Sequence, residues 1–372
     1  MKKSLLALAA LSAIAGSAAA QSSVTMYGIA DVGIVHESGN PAGSVNKVTS
    51  GVSAGSRLGF RGVEDLGSGL AALFVLETGI NYDTGGNAQL ASVANPGGAA
   101  FGRQTFVGLK SSAGTLTMGR QYNPYFKTVN AIDPFGTGQV GNSGNIMAFT
   151  GSNGRSANSV QYVSPVMGGF SGELLYQFGE VVGDTHAARA INGALSYVNG
   201  PMLLRVAHQR QNNPNNALDV ARNTIVGFNY DFGVVKLQSA YAVARGPRSI
   251  ANASETVGFN AAAGVPYRPA PAVPLALTDA DVRDYLLGAT VPVGAGNVLL
   301  SYIRRSDRTA ANQNAKQFAV GYEYNLSKRT TLYTAFSRII NENGAGYTVG
   351  NSGDITAGSG DHGTSLGVRH TF

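Results

Sequence analysis

Apolar and polar residues alternate with a period of two through most of the chain. The clearest stretch puts Phe318, Val320, Tyr322, Tyr324 and Leu326 on one face and Ala319, Gly321, Glu323 and Asn325 on the other. Successive side chains of a strand point to opposite faces, so this pattern predicts strands with one apolar and one wet side. In further segments Phe170, Leu174, Tyr176 and Phe178 oppose Ser171, Glu173 and Gln177, and Val226, Phe228, Tyr230 and Phe232 oppose Gly227, Asn229 and Asp231. Val235, Leu237 and Tyr241 likewise oppose Lys236 and Gln238. All 13 prolines are expected between such segments, where a missing N–H costs no ladder bond.

The breaks alternate in length. Short turns are predicted near 65–69, 111–114, 165–169, 199–201, 231–233, 292–296 and 325–329. Long loops are predicted near 38–56, 83–99, 123–154, 180–187, 212–218, 246–281, 306–315 and 342–362. These separate sixteen strands, the first near 24–36 and the last near 363–372. The expected fold is all-β, a 16-stranded antiparallel transmembrane β-barrel with short periplasmic turns and long extracellular loops. Pairing the first strand with the last leaves no exposed edge.

Composition narrows the alternatives. Gly supplies 50 of 372 residues, Cys and Trp are absent, and charged residues are 13% of the chain, about half the usual share. No Gly-X-Y period exists, which excludes collagen, and no apolar run after the N-terminus is long enough for a membrane helix. A soluble sandwich would carry charge on its outward faces; here the wet faces hold mostly Gly, Ser, Asn and Gln. Tyr27, Tyr162, Tyr176, Tyr197, Tyr230, Tyr241, Tyr302 and Phe372 fall near strand ends, as expected of aromatic girdles.

Lys2 and Lys3, an apolar stretch at 5–16 and Ala18-Ala19-Ala20 read as a signal peptide, residues 1–20, whose cleavage would leave a barrel at 21–372. The mature balance of +4 gives no reason to expect a nucleic-acid partner. Five scattered histidines and no Cys give no reason to expect a metal or other cofactor. Residues 136–141 match GxGxxG, but without the strand–turn–helix setting a dinucleotide site requires.

Val24-Thr25-Met26-Tyr27-Gly28 with Ala30-Asp31, then Ser56-Arg57-Leu58-Gly59-Phe60-Arg61-Gly62-Val63-Glu64-Asp65-Leu66-Gly67, resembles the general diffusion porins of β-proteobacteria and neisseriae. So do Gly102-Arg103-Gln104-Thr105-Phe106-Val107-Gly108-Leu109, Gly114-Thr115-Leu116 and Gly119-Arg120-Gln121. The chain ends Gly367-Val368-Arg369-His370-Thr371-Phe372, with the terminal aromatic by which such barrels are recognised for assembly. The resemblance implies a homotrimer in outer-membrane lipid, handled by the barrel assembly machinery through Phe372. It also implies that the third loop, residues 123–154, folds inward as a constriction. There the family's Pro-Glu-Phe-Gly-like motif is replaced by Asp133-Pro134-Phe135-Gly136, with the acid before the proline.

A diffusion pore requires a wet lumen, a constriction and an electric field. With Leu58 and Phe60 toward lipid, alternation sends Arg57 and Arg61 inward. Arg103 and Arg120 lie on the next hairpin, Arg155 at the exit of the third loop and Lys127 within it. Asp133, Asp31 and Glu77 are candidates for an opposing acidic wall. Any one of these charges has a plainer use as a paired or rim-snorkelling residue. Arg103 shares parity with apolar Val107 and Leu109, so its side is open. His208 and His370 share parity with apolar neighbours and are expected at an interface. The expected function is passive passage of small hydrophilic solutes, with a mild preference for anions. The alternatives are a porin selective for organic anions or phosphate, and, further off, a barrel adhesin or barrel enzyme, although no Ser/His pair stands out.

Overall fold

The computed structural model describes residues 23–40, 43–88, 99–147, 154–212, 220–246, 259–260, 265–266, 280–350 and 360–372. The expected signal segment, residues 148–153 of the third loop and most of 246–281 lie outside the described residues. One antiparallel sheet is built from β1 (Ser23–Asn40), β2 (Gly43–Ser50), β3 (Arg57–Gly67), β4 (Leu70–Gly79), β5 (Gln104–Ser111) and β6 (Gly114–Tyr122), then β7 (Arg155–Val163), β8 (Phe170–Gln177), β9 (Ala190–Asn199), β10 (Met202–Gln211), β11 (Ala221–Asp231) and β12 (Lys236–Arg245). After a separate two-stranded ladder, β13 (Phe259–Asn260) with β14 (Val265–Pro266), it continues through β15 (Asp281–Val293), β16 (Gly296–Asp307), β17 (Ala315–Asn325), β18 (Thr330–Asn341) and β19 (His362–Thr371).

β2 and β3 both pair with β1, at Gly33↔Thr49 and Tyr27↔Gly59 among other positions. They are two halves of one stave, so seventeen segments make sixteen staves. β19 closes on β1 from Ile29↔Thr371 to Ser38↔His362. The Phe372 N–H donates to the Gly28 carbonyl at 3.1 Å, the Gly28 N–H returns the bond at 3.0 Å, and the Phe372 ring lies over Gly28.

The expected loop at 38–56 is mostly strand. What remains is an inward turn at 51–56, tied down by Asp31: its carboxylate accepts the N–H of Ser53 at 3.1 Å and of Ala54 at 2.7 Å, and its carbonyl accepts the Gly51 N–H at 2.7 Å. The Gly- and Ser-rich stretch reads as loop because the acceptor that orders it lies some twenty residues away. Pro292 also departs from expectation, sitting inside β15 opposite Asn297 next to its end.

Alternation separates the two faces. Met26, Ile34, Val107, Leu109, Leu195, Leu287 and Leu366 are exposed on the outside, whereas Gln121, Ser159, Gln161, Gln209, Asn223 and Gln317 are buried inside. A wet interior under an apolar exterior is the arrangement for a barrel set in lipid.

The described part of the third loop packs on the inner wall of the barrel. It opens with α1 (Pro124–Ile132), whose first turn has Pro at its start and is capped by Asn123 accepting the Phe126 N–H at 2.8 Å. Tyr125, Val129 and Ile132 are buried in one cluster with Ala207, Ile225 and Ala242 of the inner wall. Beyond the helix, Pro134 and Phe135 press so closely on β15 and β17 that only glycine fits beneath them. A Cβ at Gly288 would lie 2.3 Å from Pro134 Cγ, and one at Gly321 2.8 Å from Phe135 Cε1. Gln317 Nε2 then donates to the carbonyls of Gly141 (2.9 Å) and Asn142 (3.1 Å). The described part of the loop therefore leaves β6 and lies against β8–β12 and then β15–β17.

Candidate lumen constriction

The β3–β7 arc gathers basic side chains around one carboxylate. Glu77, buried on β4, accepts Arg103 Nε at 2.8 Å and the Tyr27 hydroxyl at 3.0 Å, with Arg57 Nη1 at 3.9 Å. Arg103 Nη2 and Arg155 Nη2 both donate to the Tyr122 hydroxyl oxygen, at 2.8 and 2.6 Å. The Arg155 guanidinium lies 4.5 Å from the centroid of the Tyr122 ring, and that of Arg61 5.5 Å from the Tyr27 ring. Arg155 Nε is buried with no hydrogen-bond partner. Arg57 and Arg103 thus meet Glu77 directly, while Arg61 and Arg155 lie over the neighbouring rings of Tyr27 and Tyr122. Arg120 sits at the register shift of β6 and donates Nε–H to the Gly102 carbonyl at 2.7 Å.

Arg103 points inward although its parity matches Val107 and Leu109. It precedes β5, in the bend that leads into the strand, so strand alternation does not govern it. Tyr27 corrects a different expectation: its hydroxyl is in the lumen on Glu77, not in a girdle. Tyr122, which bridges two arginines, was not singled out by sequence; it ends β6 beside the third loop and stacks on Phe126 at 5.1 Å.

A second cluster clamps α1 to the wall. Lys127 Nζ donates to Glu173 Oε2 at 2.9 Å, and Arg205 spreads to Glu173 Oε1 (2.5 Å), Thr128 Oγ1 (2.7 Å) and Ser196 Oγ (2.8 Å). Arg205 was overlooked, although exposed Leu204 and Val206 on either side place it inward by alternation.

Two predicted acids do not face the arginines. Asp133 is buried, and its carboxylate accepts the backbone N–H groups of Phe135 (2.9 Å), Thr137 (3.2 Å) and Ser143 (2.8 Å). Burial holds this loop carboxyl above the usual carboxylate range, against the pull of those donors. Asp31 is buried too, holding the 51–56 turn and accepting the Tyr333 hydroxyl at 2.6 Å. Both acids are used to fold backbone inside the barrel, which explains why neither lines an opposing wall. Glu323 is an acid that sequence did not flag; it meets Arg369 at 3.6 Å and Gln139 Nε2 at 3.2 Å. His208 and His370 do fall on the exposed outer face, bonded to Thr224 and Thr330.

Residues 7–344 match the family model described as Gram-negative porin. An outer membrane porin protein of Bordetella pertussis is 36% identical, covering 90% of this chain and 93% of its own. Outer membrane porin protein 32 of Delftia acidovorans is 33% identical over the whole of both chains. Among solved structures, an anion-selective porin from Comamonas acidovorans superposes with a TM-score of 0.73 at 28% identity, covering 95% of this chain and all of that one.

Proposed function

The chain belongs to the Gram-negative porin family, and we propose that its β3–β7 arginines make the channel prefer anions. The protein is an outer-membrane porin, a water-filled β-barrel for passive diffusion of small hydrophilic solutes. The observation that carries the preference is the excess of basic over acidic groups on this arc, where Arg57 and Arg103 share the single carboxylate of Glu77 and Arg61 and Arg155 lie over Tyr27 and Tyr122. Arginine stays charged throughout the physiological range and offers paired N–H groups to carboxylate or phosphate oxygens. Fixed positive charge in a narrow, low-dielectric passage concentrates anions and repels cations. The anion-selective relative from Comamonas supports the same reading. Passage by this route involves no bond making or breaking, so no catalytic role is assigned.

Selectivity for particular organic anions or phosphate is the second reading, favoured by the unpartnered Nε–H of buried Arg155. The third loop, residues 123–154, supplies the constriction in both. The homotrimer and recognition of Phe372 by the assembly machinery are part of the proposal and rest on the family resemblance. Exposure of Met26, Ile34, Val107, Leu109 and Met118 on one arc is compatible with subunit contact there.

Reversal potential in a planar bilayer under a KCl gradient tests the proposal. Anion preference is expected, and cation preference of the intact pore rejects it. Current that saturates and is blocked by added dicarboxylate or phosphate selects the second reading; current proportional to bulk electrolyte selects the first.

A further inference from the structure

The inward turn at 51–56 stands between the arginine arc and the third loop and touches both. Gly51, Val52, Ser53 and Ser56 are buried, whereas Ala54 and Gly55 keep part of their surface open. Its base is locked to β1: the Ser56 hydroxyl donates to the Asp31 carbonyl at 2.8 Å and accepts the Asp31 N–H at 3.0 Å. On one side the turn receives the third loop. The Gln139 N–H donates to the Val52 carbonyl, and Gly138 lies so close on the Ser53 carbonyl that no Cβ fits. Gln139 Nε2 and the Ser53 hydroxyl converge on Glu323 Oε1, at 3.2 and 3.4 Å.

On its other side the turn meets the arginines. Arg57 Nε donates to the Gly55 carbonyl at 2.8 Å, and a Cβ on Gly55 would lie 2.8 Å from Arg103 Nη1. The Arg103 guanidinium is committed elsewhere, Nε to Glu77 at 2.8 Å and Nη2 to the Tyr122 hydroxyl at 2.8 Å. Among the described residues, Nη1 has no hydrogen-bond partner. Gly55 is not among the glycines with positive φ, so its backbone does not call for glycine. The approach of Arg103 does. A methyl group at 55 would cover Nη1 and press on a guanidinium that can retreat only by giving up Glu77 or Tyr122.

We propose that the 51–56 turn is a second constriction element, and that Gly55 sets anion preference by leaving the Nη1 edge of Arg103 open to the passing ion. The inference rests on the reading that the β3–β7 arginines give the channel its preference. Guanidinium carries its N–H groups in a rigid planar fork, so holding two edges fixes where the third points. Glu77 and Tyr122 thus aim the open edge, and the missing side chain at 55 keeps it uncovered.

The test is a double-mutant cycle read as reversal potential across a KCl gradient, with wild type, Gly55→Ala, Arg103→Gln and the double variant. Displacing one charge from about 6 Å to about 9 Å from the ion path changes the permeability ratio about two-fold in 0.1 M salt. Gly55→Ala is therefore expected to lower the anion-to-cation ratio about two-fold in the wild-type background, and to leave it unchanged beside Arg103→Gln. A residue that merely shapes the turn would shift the ratio equally in both backgrounds, and that result overturns the proposal. An unchanged ratio in Gly55→Ala overturns it too, while a lowered ratio in Arg103→Gln leaves the arginine reading standing. If Arg103→Gln itself keeps the wild-type ratio, the arginine reading falls and this inference with it. If Gly55→Ala does not insert, Arg103→Lys decides, because it keeps the charge and lacks the Nη1 edge. A lowered ratio in that variant supports the proposal, and a wild-type ratio overturns it.

Discussion

Replacing Arg57 by Gln removes one charge from the proposed constriction, together with the 2.8 Å bond from its Nε to the Gly55 carbonyl. Arg57 approaches Glu77 only at 3.9 Å, while Arg103 holds that carboxylate at 2.8 Å, so the carboxylate keeps its main partner. For an ion passing about 6 Å away in water, one charge contributes about 0.7 kcal/mol before screening. A Debye length of about 10 Å in 0.1 M salt reduces this to about 0.4 kcal/mol. The charge attracts the anion and repels the cation by that amount, so the two differ by about 0.8 kcal/mol, a factor of about four in the permeability ratio. In 1 M salt, with a Debye length near 3 Å, the same charge should matter by less than about 1.5-fold. Low-dielectric walls strengthen the field, which makes the four-fold figure a lower bound. The assay is reversal potential across a KCl gradient for wild type, Arg57→Gln and Glu77→Gln. Arg57→Gln should lower the anion preference about four-fold and Glu77→Gln raise it by a similar factor. An unchanged ratio in 0.1 M KCl with normal conductance would refute the arginine argument. A shift equally large in 1 M KCl would mean that the effect is not electrostatic.

Substituting Gly288 by Val drives a side chain into Pro134; overpacking of this kind costs about 1–3 kcal/mol, so the melting temperature should fall and conductance should rise as the loop leaves the wall. Unchanged conductance would mean that the loop does not set the aperture. Glu173→Gln leaves Lys127 and Arg205 without their shared carboxylate, and should raise anion preference while adding current noise as α1 loosens; a fall in anion preference counts against this cluster facing the ion path. The raised pKa of Asp133 means that its ionised form is disfavoured in the folded loop, so wild-type stability should drop as pH rises through that pKa and recover in acid. Asp133→Asn removes that slope, and the melting temperature of wild type minus variant should be larger at pH 4 than at pH 7; a difference independent of pH refutes the linkage.

The barrel was legible because its rule is local. Phe318, Val320, Tyr322 and Tyr324 announce a strand without reference to any other part of the chain, and β17 runs from Ala315 to Asn325. Sixteen such signals suffice to close the sheet. The rule failed where backbone donors are satisfied from a distance, as at 51–56, where the Asp31 carboxylate replaces the sheet partner. It also failed one residue outside a strand, at Arg103, whose direction comes from a bend. Tyr122 was invisible for a related reason. Nothing in the sequence marks it, because its role arises from Arg103 on one side and Arg155 on the other, brought together only when the barrel forms.

The acids show why a lumen's character cannot be counted from its charged residues. Asp31, Asp133 and Glu77 are all buried inside the barrel, and they look equivalent in the sequence. Asp31 and Asp133 each take two or three backbone N–H groups, so peptide dipoles already compensate their charge where the loops fold back. Glu77 takes no such donor and answers the arginines directly. On the proposed reading, the inward turns therefore also withdraw acid from the field of the pore, and the folding that would build the constriction would leave it positive. Removing a loop acid should disturb the aperture, whereas removing Glu77 should change which ions pass.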